Sequence, residues 1–178
     1  MTVVLIVVVV VLAATVVALL TKDQMTRSRR PPGTQATSPE RILFPFVAHG
    51  LAPRALDAAL RMATNESATL VPVFLARVSL HLPLDTPLPR QSRIAIPLQE
   101  AIEQRAMAFG VPVDSRIERG RSYRHALRQT ITHERFDRIV IAAATGSGPG
   151  FDADDVAWLL KHAPGEIVVL RPAPAPTT

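Results

Sequence analysis

RIVIAAATGSGPG, residues Arg138–Gly150, holds an apolar strand and the glycine-rich loop that leaves it. Arg138–Ala144 is apolar on both alternating faces, the pattern of a strand buried in the middle of a parallel sheet. Thr145–Gly150 carries three glycines and a proline, which makes it a loop. Downstream, Ala153–Lys161 has Val156, Leu159 and Leu160 on one helical side, and Glu166–Leu170 (EIVVL) is a closing strand. Upstream, Ser122 is placed to cap a helix that runs to about Glu134, with Tyr123, Leu127 and Ile131 each four residues apart.

The same alternation continues toward the front of the chain. Ile42–Val47 (ILFPFV) predicts a first strand, although Pro45 removes a ladder donor. Pro53–Thr64 comes next as a helix with Leu56, Ala59, Leu60 and Ala63 on one face and Pro53 in its first turn. Thr69–Ala76 (TLVPVFLA) is the second strand. Arg77–Ile96 is proline-dotted without a clear period, so it is expected as a loop. Pro97–Phe109 then predicts a helix with Leu98, Ile102 and Phe109 on one side and Gly110 as its C-cap, and Val111–Ile117 a third, weaker strand. Strands alternating with helices predict an α/β fold, a five-stranded parallel sheet wound on both faces. The domain spans residues 41–172 and contains no internal repeat.

Composition excludes several classes of chemistry. With no cysteine, disulfides, thiolate catalysis and cysteine-bound zinc are ruled out, and a reducing compartment fits. The net charge is +5, but aromatic residues make up only 4%, so no base-stacking platform accompanies the arginines. No nucleic-acid partner is expected.

Thr2–Leu20 (TVVLIVVVVVLAATVVALL) is uncharged and apolar almost throughout. About 20 residues at 1.5 Å rise give roughly 30 Å, the thickness of a bilayer core, so residues 1–21 are expected to form a transmembrane helix. The run ends Ala18-Leu19-Leu20-Thr21-Lys22, without the small-residue cleavage site of a signal peptide. Lys22, Arg27, Arg29 and Arg30 lie just beyond it, which places the α/β domain in the cytoplasm and sets these side chains against anionic lipid headgroups. The expected location is therefore the inner membrane, single-pass, with the N-terminus outside. Residues 22–40, with Pro31-Pro32-Gly33, read as a basic and then flexible linker, and 173–178 as a disordered Pro-Ala tail.

Several of these segments together resemble a universal stress protein domain. They are Gly120 before a helix, Ala126-Leu127, Phe136-Asp137-Arg138-Ile139-Val140-Ile141, the loop Thr145–Gly150, His162-Ala163-Pro164, and Ile167-Val168-Val169-Leu170-Arg171. Arg41-Ile42-Leu43-Phe44-Pro45-Phe46 resembles that family's first strand, proline included, and Ala59-Leu60-Arg61-Met62-Ala63 its first helix. The resemblance implies a Rossmann-like fold, pairing of two copies through the last strand, here Ile167–Leu170, and in some members an ATP or AMP site. Such a site would fall at Val47, Gly146, Ser147 and Gly148.

The chain departs from the nucleotide-binding pattern at each of its points. Val47 replaces an acidic residue after the first strand, and Pro149 interrupts the loop with no amide to donate. Asp152, Asp154 and Asp155 stand where Gly-Ser or Gly-Thr would open the last helix. Carboxylates there satisfy the helix dipole themselves and repel phosphate. A degenerate pocket with no cofactor is therefore expected, a divergent ATP or AMP site being the alternative.

No catalytic or metal-binding set is expected either. His49 lies at the mouth of the first strand, and Ser147 has no Gly-x-Ser-x-Gly elbow and no histidine placed beside it. His125 and His133 are eight residues apart on one helix, too far for a shared metal, and His162 suits a helix C-terminus. The expectation is a non-catalytic, membrane-tethered regulatory or scaffolding module that serves another membrane protein.

Overall fold

The computed structural model describes residues 40–144 and 148–171. The expected membrane helix, its basic flank Lys22, Arg27, Arg29 and Arg30, most of the linker, Gly146, Ser147 and the tail lie outside the described residues.

Five parallel strands, β1 (Arg41–Phe46), β2 (Thr69–Arg77), β3 (Arg116–Gly120), β4 (Arg138–Ala142) and β5 (Glu166–Leu170), form one sheet in the order β3-β2-β1-β4-β5. Four helices connect them: α1 (Pro53–Glu66), α2 (Pro89–Phe109), α3 (Tyr123–His133) and α4 (Ala153–His162). The chain starts at the centre of the sheet, moves to one edge, and crosses back past β1 to fill the other. The two directions of winding part between β1 and β4.

The apolar runs are buried on both faces because successive side chains point to opposite sides. Ile42, Phe44, Phe46, Phe74 and Val140 pack under α1 and α2. Leu43, Val71, Val73, Leu75, Ile139 and Ile141 pack under α3 and α4. With few aromatic side chains available, Phe44, Phe46 and Phe74 concentrate on the first face, Phe46 meeting Phe74 edge-on with centroids 5.6 Å apart. Pro45 is accommodated because the β1–β4 ladder covers only Ile42 and Leu43 and stops before it.

Apart from shifts of one or two residues in the first strand and helix, three boundaries differ from the sequence expectation. The α2 helix begins at Pro89, not Pro97, so much of the expected loop is helical and Pro97 lies inside the helix. Its period is blurred because Ala95 is buried while its neighbours Ile94 and Ile96 are half-exposed. The third strand is Arg116–Gly120, later than Val111–Ile117; Val113 makes only an isolated bridge to Leu70. As an edge strand β3 faces water along one side, so Arg116, Glu118 and Arg119 fit where a central strand would need apolar residues. Finally, β4 stops at Ala142, and Ala143 bridges to Phe151 instead.

Charged side chains gather at the N-terminal ends of the strands. Asp114 accepts from Arg41 at 2.8 Å and from Arg116 at 2.7 Å, and Glu134 pairs with Arg116. Glu134 Oε2 is also 3.3 Å from Arg41 Nη2, within ion-pair range but not aligned for a hydrogen bond. Arg138 pairs with Glu66 and with Glu166. The Arg116 guanidinium, helped by Arg41, holds the Asp114 carboxyl below its ordinary 3.8. A depressed folded-state value means that Asp114 stabilises the fold above pH 3.8 and that this contribution vanishes as pH falls through the lowered value. Its side chain is 40% exposed, so screening keeps the effect small. Asp114→Asn should cost about 1 kcal/mol in urea unfolding at neutral pH, with the gap closing in acid once the carboxyl is protonated. An equal gap at both pH values would contradict the assignment.

Candidate functional site

The C-terminal ends of β1 and β4 open into a cleft with about 580 Å3 of empty space, its mouth included. Val47 and His49 line it from the segment after β1, and Ala144, Gly148, Gly150 and Phe151 from the segment after β4. Tyr123 comes from the start of α3, and Asp152 and Asp155 from the start of α4. In open α/β sheets this is the crevice where ligands settle.

Local chemistry explains each wall. Ser122 Oγ accepts from the His125 amide at 3.1 Å, which starts α3 and sets Tyr123 at the cleft. His125 Nδ1 accepts from the Arg121 amide at 3.3 Å, so that ring holds the turn, and it does not line the cleft. Phe151 is bonded to the end of β4, its N donating to Ala142 O at 2.8 Å and its O accepting from Ala144 N at 2.7 Å. Gly150 permits this with φ +133°, and a Cβ there would sit 2.6 Å from Ala142 O. Only glycine fits both constraints.

The start of α4 is capped from within. Asp152 is its N-cap, and its Oδ1 accepts from the Asp155 amide at 2.7 Å. The Asp155 carboxylate is in turn bound by Arg124 Nε at 2.5 Å. Asp154 is exposed and does not line the cleft. At the other end of α4, His162 donates from Nδ1 to Trp158 O at 2.7 Å and stacks on the Trp158 ring.

The structure thus brings together Val47, His49, Gly148, Asp152 and Asp155, all singled out from sequence; Gly146 and Ser147 lie outside the described residues. Sequence reasoning missed Tyr123, Phe151 and Arg124 as parts of the site. In the sequence Tyr123 is one member of a helical period, and Phe151 is a single aromatic residue beside the loop with no pattern around it. Arg124 is linked to Asp155 across 31 positions, a pairing that no local spacing reveals. Among the described residues no group of three or more histidine, aspartate or glutamate side chains is placed to hold a metal ion.

A central switch point, a parallel sheet in this order and a cleft at the strand ends define a Rossmann-like α/β domain. No family model matches the chain, and no curated protein matches it in sequence. Solved structures do match in fold. A universal stress protein in complex with cAMP aligns with TM-score 0.58 at 14% identity, covering 77% of this chain and all of that one. A universal stress family protein from Burkholderia pseudomallei aligns with TM-score 0.55 at 22% identity, covering 75% of this chain and 96% of that one. One from Arabidopsis thaliana with AMP bound aligns with TM-score 0.55 at 15% identity, covering 79% and 97%. The fold is therefore that of the universal stress proteins, as the sequence resemblance implies.

Proposed function

We propose that this chain is a divergent, non-catalytic universal stress protein that acts as a tethered regulatory or scaffolding module beside a membrane. The observation that carries the reading is the start of α4, where the Asp152 carboxylate takes the Asp155 amide and the Asp155 carboxylate adds a second negative charge at the positive dipole end that a phosphate would use. A fold with its ligand crevice but without an open anion seat suits binding and positioning. Thr2–Leu20 supports the tether by its length and lack of charge, and Lys22, Arg27, Arg29 and Arg30 support a cytoplasmic domain held against anionic headgroups. Tethering raises the local concentration of the domain near membrane partners, so the natural partner is another membrane protein. Ile167–Leu170, paired with β4 on one side, offers the strand through which two copies would associate. Among the described residues no helix is long and apolar enough to cross a membrane, so the anchor rests on residues 2–20 alone.

Alkaline carbonate extraction tests the tether. The full-length chain should remain with the membrane pellet, and a chain lacking residues 2–20 should be released. Release of the full-length chain would overturn the tethered reading.

A second reading, an AMP or ATP sensor, is favoured by the cAMP- and AMP-bound neighbours and by the position of the cleft. It requires nucleotide binding despite the carboxylates at α4.

A further inference from the structure

We infer that Asp155 is the residue that closes this cleft to phosphate-bearing ligands, by holding Arg124 in an ion pair at the cleft wall. This role deepens the proposed function of a module without an open anion seat, and it rests on that reading.

Asp155 occupies a partition. On one side it lines the open cleft with Val47, His49 and Asp152; on the other it borders a small apolar pocket between α3 and α4 with Arg124, Leu127 and Trp158. Among the described residues that line either space, Arg124 is the only arginine or lysine. Its Nε donates to Asp155 Oδ1 at 2.5 Å, with the carboxylate side chain only 19% exposed. The bond to Asp155 also raises the basicity of Arg124, with smaller contributions from Asp152 and Asp154.

An incoming phosphate therefore meets two obstacles that share one origin. The Asp155 carboxylate repels it, and the same carboxylate holds Arg124 through Nε and offsets the positive charge that would attract a phosphate. Asp152 differs in kind. Its carboxylate is used on the helix amide, and removing its charge frees no cation. The two aspartates thus make separable predictions although both stand at the start of α4. Neutralising Asp155 removes one negative charge and releases one guanidinium at the same place. Neutralising Asp152 only removes a charge, because asparagine caps as well as aspartate does.

The test is calorimetric titration of the full-length chain with AMP. Asp155→Asn should give saturable AMP binding at about 0.1 mM or tighter, at least about tenfold below the millimolar limit expected for the wild type, the return expected from one freed charge-assisted bond. Adding Arg124→Gln to that variant should abolish the gain, and Asp152→Asn should give at most a small fraction of it. Circular dichroism confirms that each variant is folded, and Asp155→Ser replaces the asparagine variant if that chain does not fold. A folded Asp155 variant with unchanged weak affinity would overturn the inference and leave the reading of the module intact. So would an equal gain from Asp152→Asn, which would reduce the effect to bulk charge. Micromolar AMP binding by the wild type would instead overturn the reading on which the inference rests.

Discussion

Phe74→Ala should destabilise the domain by about 4 kcal/mol, the largest single effect expected in the chain. Phe74 lies in β2, with β1 and β3 on either side, and is fully buried. It packs beneath α1 and α2 with Phe44 and Phe46 in a core otherwise built mainly of Leu, Ile, Val and Ala. The loss combines transfer of the ring with the cavity that remains. Chemical denaturation should show a lower midpoint with an unchanged slope. Leu160→Ala is the contrast: Leu160 is 59% exposed, and its truncation should stay within about 0.5 kcal/mol. Similar losses at the two positions would mean that the packing is misassigned.

Gly120→Ala should cost about 3 kcal/mol, for a different reason. Gly120 ends β3 with an ordinary backbone, so conformational freedom is not the issue. A Cβ there would lie 2.4 Å from Ala126 N and 2.9 Å from Ala126 Cα, in the backbone of α3. Backbone cannot rotate away as a side-chain tip can, so the whole of α3 would have to retreat from the sheet. That helix carries Ala126, Leu127 and Ile131 into the second core, and its first turn carries Tyr123 to the cleft and Arg124 to the small pocket beside it. Gly110→Ala makes the comparison. Gly110 caps α2 at φ +65° with nothing within 4 Å of an added Cβ, so alanine there meets only the left-handed backbone penalty, about 1 kcal/mol. If Gly120→Ala proves no worse than Gly110→Ala, the close approach of α3 to β3 is wrong.

Most of the fold could be read from the sequence because its central strands are buried on both faces. Ile42–Phe46, Thr69–Ala76 and Arg138–Ala142 are apolar runs that nothing exposed would tolerate, and the helices between them carry clear stripes or caps. Legibility failed where burial is one-sided. In β3, Arg116, Glu118 and Arg119 satisfy an edge position, so the more apolar Val111–Val113 is a misleading signal. In α2, Pro97 resembles a helix start because proline favours a first turn; here that place belongs to Pro89. The site divides in the same way. Asp152 is legible as a cap because capping acts over three residues, whereas the hold of Arg124 on Asp155 exists only once α3 and α4 lie side by side.

That difference bears on function. Three acidic residues at a helix start are only a local dipole argument, and the structure separates them. Asp152 serves the helix, Asp154 faces solvent, and Asp155 ties two helices together at the rim of the ligand crevice. In an open α/β sheet this crevice is the place where a nucleotide or other ligand settles. The chemistry at α4 argues for its refusal.

Isothermal titration of the wild-type full-length chain with AMP and with magnesium ATP tests this most directly. The account predicts no saturable heat up to about millimolar nucleotide, corresponding to a binding free energy weaker than about −4 kcal/mol. Saturable micromolar binding of either nucleotide would contradict it and establish the chain as a nucleotide sensor.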